Sequence, residues 1–128
     1  MSTRASSTIS ETWPWPDSMD ALAAAPDYHE RLLENDRVRV LHTRIPAGAS
    51  VPLHTHRFPG VAYILSWSDF IRRDHHGKVL VDSRQIGSPP RIPAVQWLDA
   101  LPPHTVENVG VSEISILIVE LKEALTTI

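Results

Sequence analysis

"GASVPLHTHRFPGVAYIL", residues 48–65, decides how the rest of this chain is read. Two histidines, His54 and His56, lie one residue apart in a segment that otherwise reads as strand. Successive side chains on a strand point to opposite faces, so the pair shares one face while Leu53 and Thr55 take the other. Two imidazoles placed this way can meet one ion at about 2.0–2.2 Å, or they can be two surface histidines on an edge strand. The spacing alone does not choose between these. His104 supplies a third donor. It follows Pro102-Pro103 and opens a strand, and a barrel would bring it beside the pair. Three imidazoles on one ion leave open positions, the pattern of a catalytic metal rather than a closed structural one.

The other histidines read differently. His75 and His76 fall in a predicted hairpin turn, Asp74-His75-His76-Gly77, and are expected in solvent. His42 shares a strand face with Val38 and Val40, which suits a core or pocket histidine. It is the one weak candidate for a catalytic base. His29 reads as a surface residue.

The bulk numbers bound what such a site can be. With 128 residues the chain is expected to form one domain around one moderate core. A formal charge of −3 gives no reason to expect nucleic acid or an anionic membrane as partner. No cysteine is present, so disulfides, thiolate metal sites and cysteine nucleophiles are all excluded. Any metal must be held by histidine, carboxylate or water. There is no apolar run of 18 residues or more, which argues against a membrane-spanning helix. The Ser/Thr-rich start of the chain lacks the apolar centre of a signal peptide, and a cytoplasmic location is the default expectation. Eleven prolines against five glycines argue against a mainly helical chain.

Residues 1–26 read as an N-terminal arm with a short helix, and 27–128 as a β domain. In the arm, Trp13-Pro14-Trp15-Pro16 is expected to pack on the domain or on a second subunit. Residues 17–25 form the short helix, capped by Asp17 or Ser18 and stopped by Pro26. Strands are predicted over 28–33, 37–45, 50–56, 61–72, 78–84, 94–99, 105–109 and 114–122, with Pro102-Pro103 as a break. About eight short strands separated by turns indicate an antiparallel sandwich or barrel.

This arrangement resembles the cupin family. The family's first motif is a glycine, five residues, HxH, three or four residues, a glutamate, six residues and a glycine. Gly48, five residues and His54-Thr55-His56 fit its first half. The H-xxx-N half of the second motif fits His104 to Asn108, with Gly110 after it. The resemblance runs from about Arg37 to Lys122, and "ENDRVRVL" and "HTVENVG…ILIVELK" are similar to stretches of small single-domain cupins. It implies a double-stranded β-helix, a jelly-roll barrel, and a divalent ion held by His54, His56 and His104. The departures are as informative. The motif's glutamate falls at Gly60 or Val61, neither of which has a side-chain donor, and its closing glycine falls at Trp67. In the second motif Asp99 and Leu101 stand at the proline and glycine positions.

A site without that glutamate keeps three neutral donors, so a bound ion keeps its full charge and gains an open position. Asp69, Asp99, Glu107 and Glu120 are the nearby carboxylates, and none is read as a ligand. Glu120, amid apolar residues of the last strand, is expected either at an edge or buried with a partner such as an arginine. The barrel interior alternates along each strand. The ungapped frame turns Gly60, Ala62, Ile64 and Ser66 inward and sends Tyr63, Leu65 and Trp67 outward; a frame shifted by one residue does the reverse. Tyr63, Gln96 and Trp97 are the candidate substrate contacts. The resemblance implies a metal-dependent protein with Fe(II), Ni, Mn or Zn, acting on or binding a small oxygenated molecule. A dioxygenase-type enzyme is the leading reading, with a metal-dependent isomerase or lyase and a non-catalytic binding cupin as alternatives. It also implies a homodimer.

Overall fold

The computed structural model describes residues 13–122. The predicted arm at 1–12 and the last six residues lie outside them. Nine strands form two antiparallel sheets. The strands are β1 (His29–Glu34), β2 (Val38–Ile45), β3 (Ser50–His56), β4 (Gly60–Ser66), β5 (Phe70–Asp74), β6 (Val79–Asp82), β7 (Ala94–Leu98), β8 (Leu101–Asn108) and β9 (Ile114–Leu121). One sheet runs β1-β2-β9-β4-β7 and the other β3-β8-β5-β6. The order follows the sequence pattern. Residues Arg39, Leu41, Thr43 and Ile45 of β2, and Gly60, Ala62 and Ile64 of β4, are buried at every second position. Ile114, Ile118 and Glu120 of β9 follow the same period. The ungapped frame for β4 is the observed one, and the apolar members of these rows form the core between the sheets.

Two departures from the sequence expectation shape the site. Pro102 and Pro103 do not break the chain; they lie inside β8. The register of β3 on β8 explains why. Val51 faces Val106, His54 faces His104 and His56 faces Leu101, with an irregularity on either side of the histidine pair. The extra residue falls on β3 around Pro52 and on β8 around Pro102-Pro103. Bulges leave a backbone N–H unpaired, so a residue that lacks one is tolerated there.

The helix is also built differently. Asp17–Met19 form a 3-10 turn and only Ala21–Ala24 (α1) are α-helical. The cap is Asp20 rather than Asp17 or Ser18: its carboxylate accepts from Leu22 N at 3.1 Å. Asp20 bridges Thr55 of β3, so this segment covers the outer side of β3. That cover is why Thr55, on the face away from the histidines, is buried too.

Asn108 closes the far end of β8. Its Nδ2 donates to Ile45 O and Ser112 O at 2.9 Å each, and its Oδ1 accepts from Ser68 Oγ at 2.8 Å and Gly110 N at 3.0 Å. The asparagine of the H-xxx-N half therefore fastens the β8–β9 turn with every polar atom of its side chain used. Among the described residues no helix is long and apolar enough to cross a membrane.

Candidate functional site

Between the sheets lies a cavity of about 100 Å³, with His29, His54, His56 and His104 in its wall. His54 and His104 are register partners across β3 and β8, and their ring centroids are 4.3 Å apart. His56 lies 5.1 Å from His54 and 5.7 Å from His104 by the same measure. The structure thus sets His104 opposite His54, with His56 beside both. It adds a fourth. His29 is 5% exposed, not a surface residue, and its ring is 4.9 Å from that of His54 and 5.3 Å from that of His56. One ring nitrogen from each of His29, His54 and His56 lies within 4.8 Å of the others, a spacing that can hold a metal ion. His54 and His56 are common to this trio and to the one expected from sequence, whereas His104 lies outside the group that meets this spacing.

Each of the four rings has its Nδ1 committed to an oxygen. His54 bonds Pro52 O at 2.8 Å, His104 bonds Pro102 O at 2.8 Å and His29 bonds Ala25 O at 3.0 Å. His56 bonds Glu120 Oε2 at 3.0 Å. A carbonyl oxygen only accepts, so in His29, His54 and His104 the Nδ1 carries the proton and Nε2 keeps its lone pair. The two proline carbonyls are offered by the bulged stretches of β3 and β8. This is the support that orients metal-binding imidazoles: the far nitrogen fixed by a carbonyl or carboxylate, the near one free.

The surroundings keep His29, His54 and His104 neutral. Burial, reinforced by the neighbouring rings, pushes His54 down to about 2. His104 falls to about 3 and His29 to about 4, again chiefly by burial and then by His56. A neutral imidazole is the ligand form.

The missing motif glutamate has a structural cause. Gly60 packs so closely on β9 that a Cβ there would run into the Val119 carbonyl. No side chain, glutamate included, fits without moving a strand. Its register partner on β9 is Glu120, which is completely buried. So a carboxylate is present beside that position, donated by the neighbouring strand. It does not stand free for an ion. Arg39 Nε donates to Glu120 Oε1 at 2.7 Å, and Arg39 is itself gripped by Asp20 at 2.8 and 3.0 Å. Of the two futures the sequence allowed Glu120, burial with an arginine is the one observed. The chain Asp20–Arg39–Glu120–His56 holds one ring of the site from behind.

The fold has known counterparts. No protein-family model matches the chain, and no curated protein does. Among solved structures it is similar to a cupin domain from Bordetella pertussis Tohama I, with a TM-score of 0.56 at 18% identity. That likeness covers 74% of this chain and 92% of the other. The chain has the cupin fold. A second counterpart, an RmlC-like cupin with a double-stranded β-helix from Methanocaldococcus jannaschii, has a TM-score of 0.51 at 12% identity. That likeness covers 73% of this chain and 77% of the other.

The other sequence candidates fall in varied places. Gln96 lines the cavity from β7, opposite Ala62. Tyr63 and Trp97 do not: they lie on the outer face of the sheet, 39% and 55% exposed. The period of two on β4 and β7 sends odd-numbered residues outward, and Trp97 bonds Asp99 there instead. Trp67, expected outward, does line the cavity, because β4 ends at Ser66 and its alternation ends with it. His42 is outside the cavity, with Nε2 2.8 Å from Ser115 Oγ. Of the remaining carboxylates, Glu107 pairs with Arg73, Asp69 accepts from Ser83 Oγ and Asp99 from Trp97.

Proposed function

We propose that this chain is a metal-dependent cupin of the non-haem dioxygenase type, acting on a small oxygenated organic molecule in the histidine cavity. The observation that carries the reading is the set of four buried imidazoles with all four Nδ1 atoms bound to oxygen. The donor set fits a borderline divalent ion such as Fe(II), Ni(II), Mn(II) or Zn(II). His54 and His56 would hold it, with His104 and His29 completing the set. When bound, such an ion supplies Lewis acidity at full charge, and as Fe(II) it also supplies O₂ chemistry.

The chain's own groups do the rest. Pro52, Pro102 and Ala25 carbonyls aim three rings, and Glu120 aims His56. Apolar side chains such as Ile64, Ile116 and Ile118 wall the cavity and limit water around the substrate. The dioxygenase reading is preferred to an isomerase or lyase for a specific reason. Proton abstraction next to a carbonyl needs a general base, and no carboxylate lines the cavity among the described residues. His42, the candidate base, is not in its wall either.

The test is metal content. Protein purified without chelator or affinity-tag metal, then offered each of the four ions, is expected to retain about one ion per chain. His54→Ala and His104→Ala are expected to lose it. Absence of stoichiometric metal under every loading condition would overturn the reading.

A further inference from the structure

Arg72 differs from Arg39, Arg73 and Arg84, each of which has an acidic partner. Arg39 pairs with Asp20 and Glu120, Arg73 with Glu107, and Arg84 with Asp82. Arg72 lines the histidine cavity, and its Nε is buried without a hydrogen-bond partner among the described residues. Its register partner on β8 is Val106, so it shares the inward face with His104, two residues along. Phe70 lies under the guanidinium at 5.8 Å, which orients a cation without neutralising it. Burial lowers its pKa with no acidic neighbour offsetting the effect.

A second orphan lies in the same wall. Thr43 Oγ1 is buried with no partner, and Thr43 lines the cavity from β2. A buried polar atom left unpaired costs about 1–3 kcal/mol, and more when charged. Two such groups in one cavity, one of them a cation, mark a place where an anion completes the bonding. The remaining wall is mainly Ile, Leu and Val, and the volume of about 100 Å³ is small. That excludes a nucleotide or a sugar phosphate and suits a short aliphatic acid.

We propose that the cavity selects a small organic carboxylate, with Arg72 binding the carboxylate and Thr43 donating a second hydrogen bond. A guanidinium fork matches the two oxygens of a carboxylate. The inference deepens the proposed function by naming its substrate class, and it rests on that reading only for the ion sharing the cavity. Arg72 acts with or without metal.

Binding of acetate, propionate and lactate, each against its neutral amide, tests it by calorimetry at pH 7.5 on full-length protein, both chelated and Zn(II)-loaded. At least one acid is expected to bind, at least about tenfold tighter than its amide. Arg72→Gln is expected to erase that preference, Arg72→Lys to keep part of it, and Thr43→Val to weaken acid binding severalfold. Cooperative unfolding of each variant confirms the fold, and Arg72→Lys stands in if Arg72→Gln does not fold. Equal binding of acid and amide, unchanged acid binding in Arg72→Gln, or no acid binding in either form overturns the proposal. The two readings fail separately. Acid preference in chelated protein that takes up no metal sinks only the metal reading; stoichiometric metal without acid preference sinks only this one.

Discussion

Replacing Arg39 by methionine is expected to destabilise the metal-free protein by about 3–5 kcal/mol, because it strands a buried charge. Glu120 is completely buried, and among the described residues its side chain is held by the Arg39 guanidinium and the His56 ring. Methionine matches the stem of the arginine but offers no donor. Glu120 would then keep one bond, to His56, and Asp20 would lose its bidentate partner while still capping α1. The double variant Arg39→Met/Glu120→Leu removes both charges and is expected to recover most of the loss. Urea unfolding in chelator measures both. A single-variant cost under about 1 kcal/mol would mean the pair is not buried as described.

The second large effect is on acid stability. His54, His104 and His29 have ordinary values near 6.5, and in the folded chain burial holds them at about 2, 3 and 4. Below pH 6.5 the unfolded chain therefore takes up protons that the folded chain refuses. More protons bound when unfolded means stability falls as pH falls. Above pH 6.5 these rings contribute no pH dependence. At pH 5 each is expected to cost about 2 kcal/mol, and the three together approach the total stability of an ordinary domain. Asp20 is held below its usual range in the fold, so its stabilising contribution is lost only near pH 4 and lower, outside this window. Denaturation of chelated protein between pH 8 and 5 is expected to show a steep loss that begins near 6.5. A flat profile over that range would contradict the burial of these rings in neutral form.

The barrel was legible because its signals are local. Gly48, the HxH spacing and the period of two along β2, β4 and β9 all lie within single strands. The ungapped frame at Gly60 also follows from one strand. What escaped depends on distant pairings. In β1 only His29 is buried and the other five residues are exposed, so no alternation marks it. Its burial comes from Ala25 and from the rings of β3. Glu120 and Arg39 are 81 residues apart, and Arg39 and Asp20 are 19 apart. Sequence shows that a buried glutamate needs a partner but not which one. Pro102-Pro103 signals a break in an isolated strand; only the bulged register against β3 keeps it inside β8. That Arg72 turns inward follows only from the pairing of β5 with β8.

The proposed metal centre rests on His29, His54 and His56, whose ring nitrogens lie within 4.8 Å of one another, with His104 beside them. Long-range proton–nitrogen spectra of the histidine rings, recorded on chelated protein during a Zn(II) titration, test it most directly. The seven histidines of the chain are expected to divide into two groups. His29, His54, His56 and His104 should all be protonated on Nδ1 before metal, and their Nε2 signals should move together as the first equivalent is added. His42, His75 and His76 should not follow them. Protonation on Nε2 in the four site rings, or Nε2 signals unmoved by stoichiometric Zn(II), would contradict the account.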